Sequence, residues 1–378
     1  MIVIDAHLDL AWNALNWNRD LTLDIQEMRK AESGMTEEHE GDNTVPLAGM
    51  CVSDPYLTQA VKHRGANTVS LSEMRKGEVA VCLATVLARA SELGDPMLDF
   101  KTQEIAYAMG KGQLAYYRIL ESQGRLKMLR NRRDLKEHID NWLAGDHSKL
   151  PLGYILSMEG ADPIVSPGQV AEWWNEGLRV VGLSHYGWSA YANGTGASGG
   201  VTAKGKELLR VMQEIGMILD MTHLSDESFW DALKLFQGPI LASHNNCRAL
   251  VPGHRQFTDD QIRELIQRDA VIGAVFDSWM LYPGWKLGST PPSAVSIENV
   301  VDHIDYICQL AGNVRHVAIG SDLDGGFGRE QSPGDLDTIA DLQSLPAIFR
   351  KRGYSESDIK GIMYENWLRF FEKAWDKN

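Results

Sequence analysis

The chain has 378 residues and a formal net charge of −14, a balance that repels phosphate backbones and anionic lipid and so argues against nucleic-acid and membrane-surface partners. Its 44% hydrophobic and 23% charged residues are ordinary for a globular protein, and no apolar run approaches the roughly 18 residues that suggest a membrane span. Cys51, Cys82, Cys247 and Cys308 are too widely spaced for a metal-binding or redox pair and read as reduced thiols. With no basic-then-apolar leader at the start, a cytoplasmic location is expected.

The first element is a strand, read over residues 2–6. Side chains two apart on a strand point the same way, so His7 and Asp9 project together from its C-terminal end. Residues 12–60 follow as a polar excursion, acidic near Glu37, Glu38 and Glu40. Leaving the strand from that same end, they are expected as an insertion that forms part of a lid or pocket wall. Seven more short apolar runs come at 79–86, 152–158, 179–183, 217–221, 239–242, 271–276 and 316–320. They are continuous in Val, Ile, Leu and Ala rather than alternating, as expected of parallel strands covered on both faces.

Helical patterns lie between them. Residues 205–215 carry Leu208, Leu209 and Met212 on one face. Residues 258–268 open on a threonine cap and align Ile262, Leu265 and Ile266. Residues 355–375 open on a serine cap and run a stripe from Ile359 to Phe371, which is core packing. The glycine-rich stretch 194–200 lacks the Gly-Lys-Ser/Thr ending of a phosphate loop and reads as a flexible loop. Eight successive β-α units predict an α/β fold, a single (β/α)8 TIM barrel over residues 1–378 with 12–60 as its insertion.

In such barrels the catalytic groups come from the C-terminal ends of several strands. Here six of the eight strands end in His, Asp or Glu: His7 and Asp9; Glu159; His185; Asp220 and His223; His244; Asp322 and Asp324. Each has a plain structural explanation on its own, but one metal site explains them together. Three histidines and two carboxylates exceed what one tetrahedral zinc needs. The economical arrangement holds two divalent ions, zinc by expectation, with His7, Asp9 and Glu159 on one and Glu159, His223 and His244 on the other. A water between such ions would be deprotonated near neutral pH and become the nucleophile. His185 then remains to polarise a carbonyl and stabilise the oxyanion, and Asp322 to pass the nucleophile's proton to a leaving amine. Arg255 offers a planar fork for a carboxylate.

At this point the chain resembles the membrane (renal-type) dipeptidases, binuclear zinc peptidases of the amidohydrolase-like barrels. The segments that carry the resemblance are Asp5-Ala6-His7-Leu8-Asp9-Leu10, Met158-Glu159-Gly160, Leu183-Ser184-His185, Asp220-Met221-Thr222-His223, Ala242-Ser243-His244 and Gly320-Ser321-Asp322-Leu323-Asp324-Gly325. Arg255-Gln256-Phe257-Thr258-Asp259 and the closing helix around Asn366 fit as well. The resemblance implies the same metal assignments, Arg255 on the substrate's terminal carboxylate, Asp322 also meeting its free amino group, and a homodimer. The chain departs from the family pattern at Asp162, where histidine is usual, at Gln256, where asparagine is usual, and in a longer first loop. All three border the substrate.

The expected function is a metal-dependent dipeptidase acting on a small peptide substrate, L,L and L,D dipeptides included. The alternative within the same barrel class is an amidohydrolase acting on N-acyl amino acids, and a free substrate amino group separates the two. A metal-holding barrel without activity is disfavoured, because His185 and Asp322 are not needed merely to hold metal.

Overall fold

Strands of the kind expected from the apolar runs close on themselves in the computed structural model, which describes residues 1–32, 65–95, 97–145 and 149–376. The barrel strands are β1 (Val3–Leu8), β2 (Val79–Leu87), β3 (Leu152–Glu159), β4 (Leu178–Gly182), β5 (Ile218–Asp220), β6 (Ile240–Leu241), β7 (Ile272–Ala274) and β8 (Val317–Ile319). Every neighbouring pair is parallel, from Val3 beside Val79 round to Asp5 beside Ile319. The bridge from Ala242 to Ile272 joins β6 to β7 and completes the ring. The strands are buried on both faces, which is why their sequences are continuous apolar runs.

Helices α1 (Leu10–Asn16), α2 (Leu71–Lys76), α3 (Gln103–Ser122), α4 (Arg132–Leu143), α5 (Val170–Asn175), α6 (Ala203–Ile215), α7 (Asp226–Leu235), α8 (Asp259–Gln267) and α9 (Ile297–Ala311) lie between the strands. The polar–apolar patterns placed α6 and α8 within two residues of where they lie. Thr202 caps α6 through Gly205 N, and Thr258 forms a capping box with Gln261 on α8.

Three details differ from expectation. First, β1 runs to Leu8, so His7 lies within the strand and Asp9 follows it directly as the N-cap of α1. Second, a short strand, Leu126–Met128, pairs with the start of β3 and adds a ninth member to the sheet. Third, the closing helix is not one regular helix. After α10 (Leu345–Lys351) come α11 (Glu356–Lys360), a π turn (Gly361–Glu365) and α12 (Asn366–Ala374). The π turn brings Asn366 Nδ2 to the carbonyls of Val314 (2.7 Å) and Val317 (2.9 Å). Trp367 Nε1 donates to Ile319 O, so the helix is bolted beneath β8.

The glycine-rich 194–200 stretch, expected as a flexible loop, is tied down by bridges from Tyr186 to Thr195 and from Gly194 to Leu224. A side chain at Gly194 would meet His185 O at 1.9 Å, so only glycine lets this loop lie against the His185 backbone. Of the excursion expected over 12–60, residues 33–60 lie outside the described residues, as does Cys51. In its described part, Asn13 Nδ2 donates to Asp324 O at 2.9 Å, fastening the start of the excursion to the loop after β8. No helix among the described residues is long and apolar enough to cross a membrane.

Candidate metal centre

Because all eight strands are parallel, their C-terminal ends share one mouth, and the register keeps them nearly level: Leu87 pairs with Glu159, and Gly182 with Asp220. His7, Asp9, Glu159, His223 and His244 meet there, each buried. Two of the turns that aim them adopt left-handed backbone, His223 at φ 64° and Asp322 at φ 59°, a conformation that costs a non-glycine residue about 1–2 kcal/mol. A side chain at Gly325 would meet Asp322 Oδ1 at 1.9 Å, so the glycine leaves room for that carboxylate.

Glu159 sits at the centre. Its Oε2 lies 3.5 Å from His7 Nε2, while its Oε1 lies 3.2 Å from His223 Nε2 and 3.3 Å from His244 Nε2. His7 Nε2 is also 3.6 Å from Asp9 Oδ2 and 3.7 Å from Asp322 Oδ1. The predicted set His7, Asp9 and Glu159 is one of the groups whose ligand atoms converge, and His223 and His244 face Glu159 from the other side. Asp322 and His185 lie close enough to join such groups as well.

A further row of contacts fixes these side chains. Thr85 Oγ1 donates to Asp9 Oδ1. Asp5 accepts from Ser321 N at 2.8 Å and from His7 N at 3.2 Å, locking β1 to the residue before Asp322. The histidines differ in what holds Nδ1. Thr195 Oγ1 meets His223 Nδ1 (3.1 Å) while donating to His223 O, and Ser243 Oγ meets His244 Nδ1 (2.8 Å). Hydroxyls that accept from Nδ1–H leave the Nε2 lone pairs free and facing Glu159. Against His185 Nδ1 stands Arg89 NH1, at 3.1 Å.

The electrostatics are those of a site that wants positive charge. Burial, with Arg255 adding to it, holds His223 well below the usual histidine range. Burial does the same for His244, with His7 adding to it, so both stay neutral. Burial would lower His7 too, but Glu159 and Asp9 outweigh it and raise it well above that range. Burial pushes Asp322 well above the ordinary carboxylate range; His7 opposes this, while Glu159 and Asp9 add to it. His7 Nε2 is a buried nitrogen without a hydrogen bond among the described residues, ringed by carboxylates. Imidazole nitrogens and carboxylate oxygens at this spacing, with one buried nitrogen orphaned, fit divalent cations.

The same residues line a cavity of about 180 Å3 together with His185, Tyr186, Arg255, Asp277, Met280, Trp12 and Arg89. Arg255 NH2 donates to His244 O at 3.0 Å, while its NH1 is buried with no partner among the described residues. Each predicted site residue is therefore at one mouth. Gln256 stands beside them, its Nε2 bonded to Met280 O at 2.7 Å. Asp162 lies behind the site, where it accepts from Ala90 N, Ser189 Oγ and Ala190 N. Arg89 and Asp277 were missed. They follow β2 and β7, whose apolar runs carry no polar residue at their ends, and a search a few residues further on would have found them.

A model of the membrane dipeptidase family (peptidase family M19) matches residues 1–377. Over 296 residues the chain is 28% identical to an uncharacterized protein in the pqqA 5′ region of Klebsiella pneumoniae, covering 75% of this chain and 99% of that one. It is 29% identical over 204 residues to the dipeptidase tcpJ of Claviceps purpurea, covering 53% of this chain and 45% of that one. Against this named dipeptidase and that of Aspergillus oryzae, the match spans about half of the relative's length, 45% and 52%. Among solved structures, a family M19 metallopeptidase called dipeptidase AC superposes with TM-score 0.75 at 21% identity, with 99% of each chain covered. A metallopeptidase from Rhodobacter sphaeroides, liganded with a phosphinate mimic of L-Ala-D-Ala, superposes with TM-score 0.74 at 20% identity, again with 99% of each covered. These likenesses extend the (β/α)8 barrel over the whole chain. With its family model matched from end to end, the chain belongs to the membrane dipeptidase family.

Proposed function

We propose that this chain is a metal-dependent dipeptidase that hydrolyses the peptide bond of short peptides, both L,L and L,D dipeptides. His7, Asp9 and Glu159 would hold one divalent ion and Glu159, His223 and His244 a second, with zinc suited to these nitrogen and oxygen donors. When bound, the ions supply Lewis-acid activation of water and of the scissile carbonyl. The chain's own groups do the rest. Arg255 NH1, buried and unpartnered, takes the substrate's terminal carboxylate. His185 donates from Nε2 to the carbonyl oxygen as it gains negative charge. Asp322, whose raised proton affinity makes it a stronger base, accepts the nucleophile's proton and returns it to the leaving amine.

The observation that carries this reading is the Glu159 carboxylate, whose two oxygens face separate histidines across 3.5 and 3.2 Å. The small cavity also favours a two-residue substrate, since about 180 Å3 falls below the roughly 300–1,000 Å3 of pockets for larger ligands.

The test is hydrolysis of a panel of L,L and L,D dipeptides by the zinc-loaded protein, beside Asp322→Asn and His185→Ala. Wild type should cleave members of the panel, and both variants should lose about 10²–10⁴-fold in kcat while keeping their metal. Equal activity in wild type and Asp322→Asn overturns the role of Asp322. Equal cleavage of N-acylated and free dipeptides moves the reading to an amidohydrolase of N-acyl amino acids.

A further inference from the structure

One buried cation in the site has no place in the scheme above. Arg89 is 5% exposed and follows β2, in a two-residue strand (Arg89–Ala90) paired with Asp99–Phe100. Its Nε donates to Asp99 Oδ1 at 2.8 Å, and Asp99 Oδ2 in turn accepts from Asp95 N at 2.7 Å. Its NH1 lies 3.1 Å from His185 Nδ1.

A guanidinium has five donors and no acceptor, and it does not deprotonate in proteins. The contact therefore has only one sense: Arg89 donates and His185 Nδ1 accepts. A neutral imidazole carries a single proton, so that proton is on Nε2. This is the reverse of His223 and His244, whose Nδ1 atoms face hydroxyls able to accept. The difference has a consequence at the metal centre. Ligand atoms of His185, Glu159 and His223 lie within 4.8 Å of one another, so a bare His185 Nε2 would make a third donor beside them. With Nε2 protonated, His185 is a hydrogen-bond donor and not a ligand.

We propose that Arg89, oriented by Asp99, is a positioning residue that fixes the Nε2–H tautomer of His185, keeping this histidine off the metals and aimed as a donor at the reacting carbonyl. The inference rests on the role given to His185 above. Asp162 supports the arrangement from behind. One of its oxygens holds Ala90 N, next to Arg89, and the other holds Ser189 Oγ and Ala190 N, in the loop after His185. The carboxylate at the position where the family carries histidine thus joins the two segments whose side chains meet. Arg255 does not share the task, because its bonded NH2 is committed to His244 O.

The test compares zinc-loaded wild type with Arg89→Met, Arg89→Lys and Asp99→Asn, using three readouts. The first is the tautomer of His185 from long-range proton–nitrogen correlations on protein labelled with 15N-histidine, the His185 signals being assigned by their loss in His185→Gln. The second is metal content with the thermal midpoint, and the third is kcat and KM on a cleaved dipeptide. Wild type should report a bare Nδ1 and a protonated Nε2. Arg89→Met should show a shifted or mixed tautomer and lose about 10–100-fold in kcat, the usual cost of removing a partner that orients a site histidine, with KM little changed. Arg89→Lys, which restores a cationic donor, should recover part of both. Asp99→Asn, which leaves the arginine in place, should fall between wild type and Arg89→Met. An Nε2–H tautomer that survives in folded Arg89→Met, or a kcat equal to wild type there, overturns the proposal. If Arg89→Met does not fold, unchanged tautomer and kcat in Asp99→Asn and Arg89→Lys overturn it equally. Should His185→Ala leave kcat intact, the role of His185 in the reaction fails, while the tautomer readout still judges Arg89.

Discussion

Arg255 is fastened to His244 through the backbone: its NH2 donates to the His244 carbonyl at 3.0 Å, and its NH1 is left buried with no partner among the described residues. A buried, unsatisfied donor on a charged group is costly unless a ligand completes it. Recognition of the substrate carboxylate is therefore tied to the segment that carries a proposed metal ligand, and the distance between the two functions is set by one hydrogen bond.

Arg255→Met should accordingly raise KM for dipeptides by about 10–100-fold, the equivalent of roughly 1.5–3 kcal/mol for a charge-assisted hydrogen bond, with a smaller effect on kcat. Dipeptide amides, which lack the terminal charge, should suffer a like penalty on wild type but no additional penalty on the variant. Steady-state kinetics on the four combinations measure this coupling. Additive losses would mean that Arg255 does not meet the carboxylate.

Glu159 makes a prediction about stability as well as metal content. Glutamine at 159 presents one carbonyl oxygen and an amide NH2, so it cannot face two cations with two oxygens. Glu159→Gln should lose at least half of its bound metal by atomic emission. Buried with Asp9 and Asp322 close to the same His7, the Glu159 carboxylate is also a charge that the metal-free fold must carry. Stripping metal with a chelator should lower the wild-type thermal midpoint by several degrees. In the chelated state Glu159→Gln should equal or exceed wild type, the reverse of their order with metal. A variant less stable than wild type in both states would assign Glu159 a purely structural role.

The rim of this site could be read from the sequence because a parallel barrel has a polarity. Once eight buried strands are placed, the residues that close them share one end, as His7, Glu159 and His244 do. Arg89 and Asp277 escaped because their strands end on apolar residues and the polar group comes afterwards, in the loop. The break in the closing helix escaped because Asn366 bonds carbonyls about fifty residues away, at Val314 and Val317, which no local pattern records. Likewise His185, His223 and His244 look alike in sequence. What separates donor from ligand is the group at Nδ1, and for His185 that group stands 96 positions back along the chain.

His138, far from the metal centre, supplies a pH dependence of a different origin. Its ring packs over Gly153 on β3, and its Nε2 donates to Ala80 O on β2 at 2.9 Å. Burial depresses it from 6.5 to about 4. As pH falls through 6.5 the unfolded chain takes up a proton that the folded chain refuses until about 4. The stability tied to this group is therefore complete above pH 6.5 and is lost progressively on the way down, reaching about 3 kcal/mol. His138→Gln keeps a donor for the Ala80 carbonyl and does not titrate. His303, also depressed to about 4 by burial, is common to both proteins and cancels in the comparison. Urea unfolding at pH 7 and pH 4.5 should thus show wild type losing more stability than His138→Gln, by up to about 3 kcal/mol. Equal losses in the two proteins would mean that the ring is protonated in the folded barrel, with its charge compensated where the fold places only carbonyl and apolar neighbours.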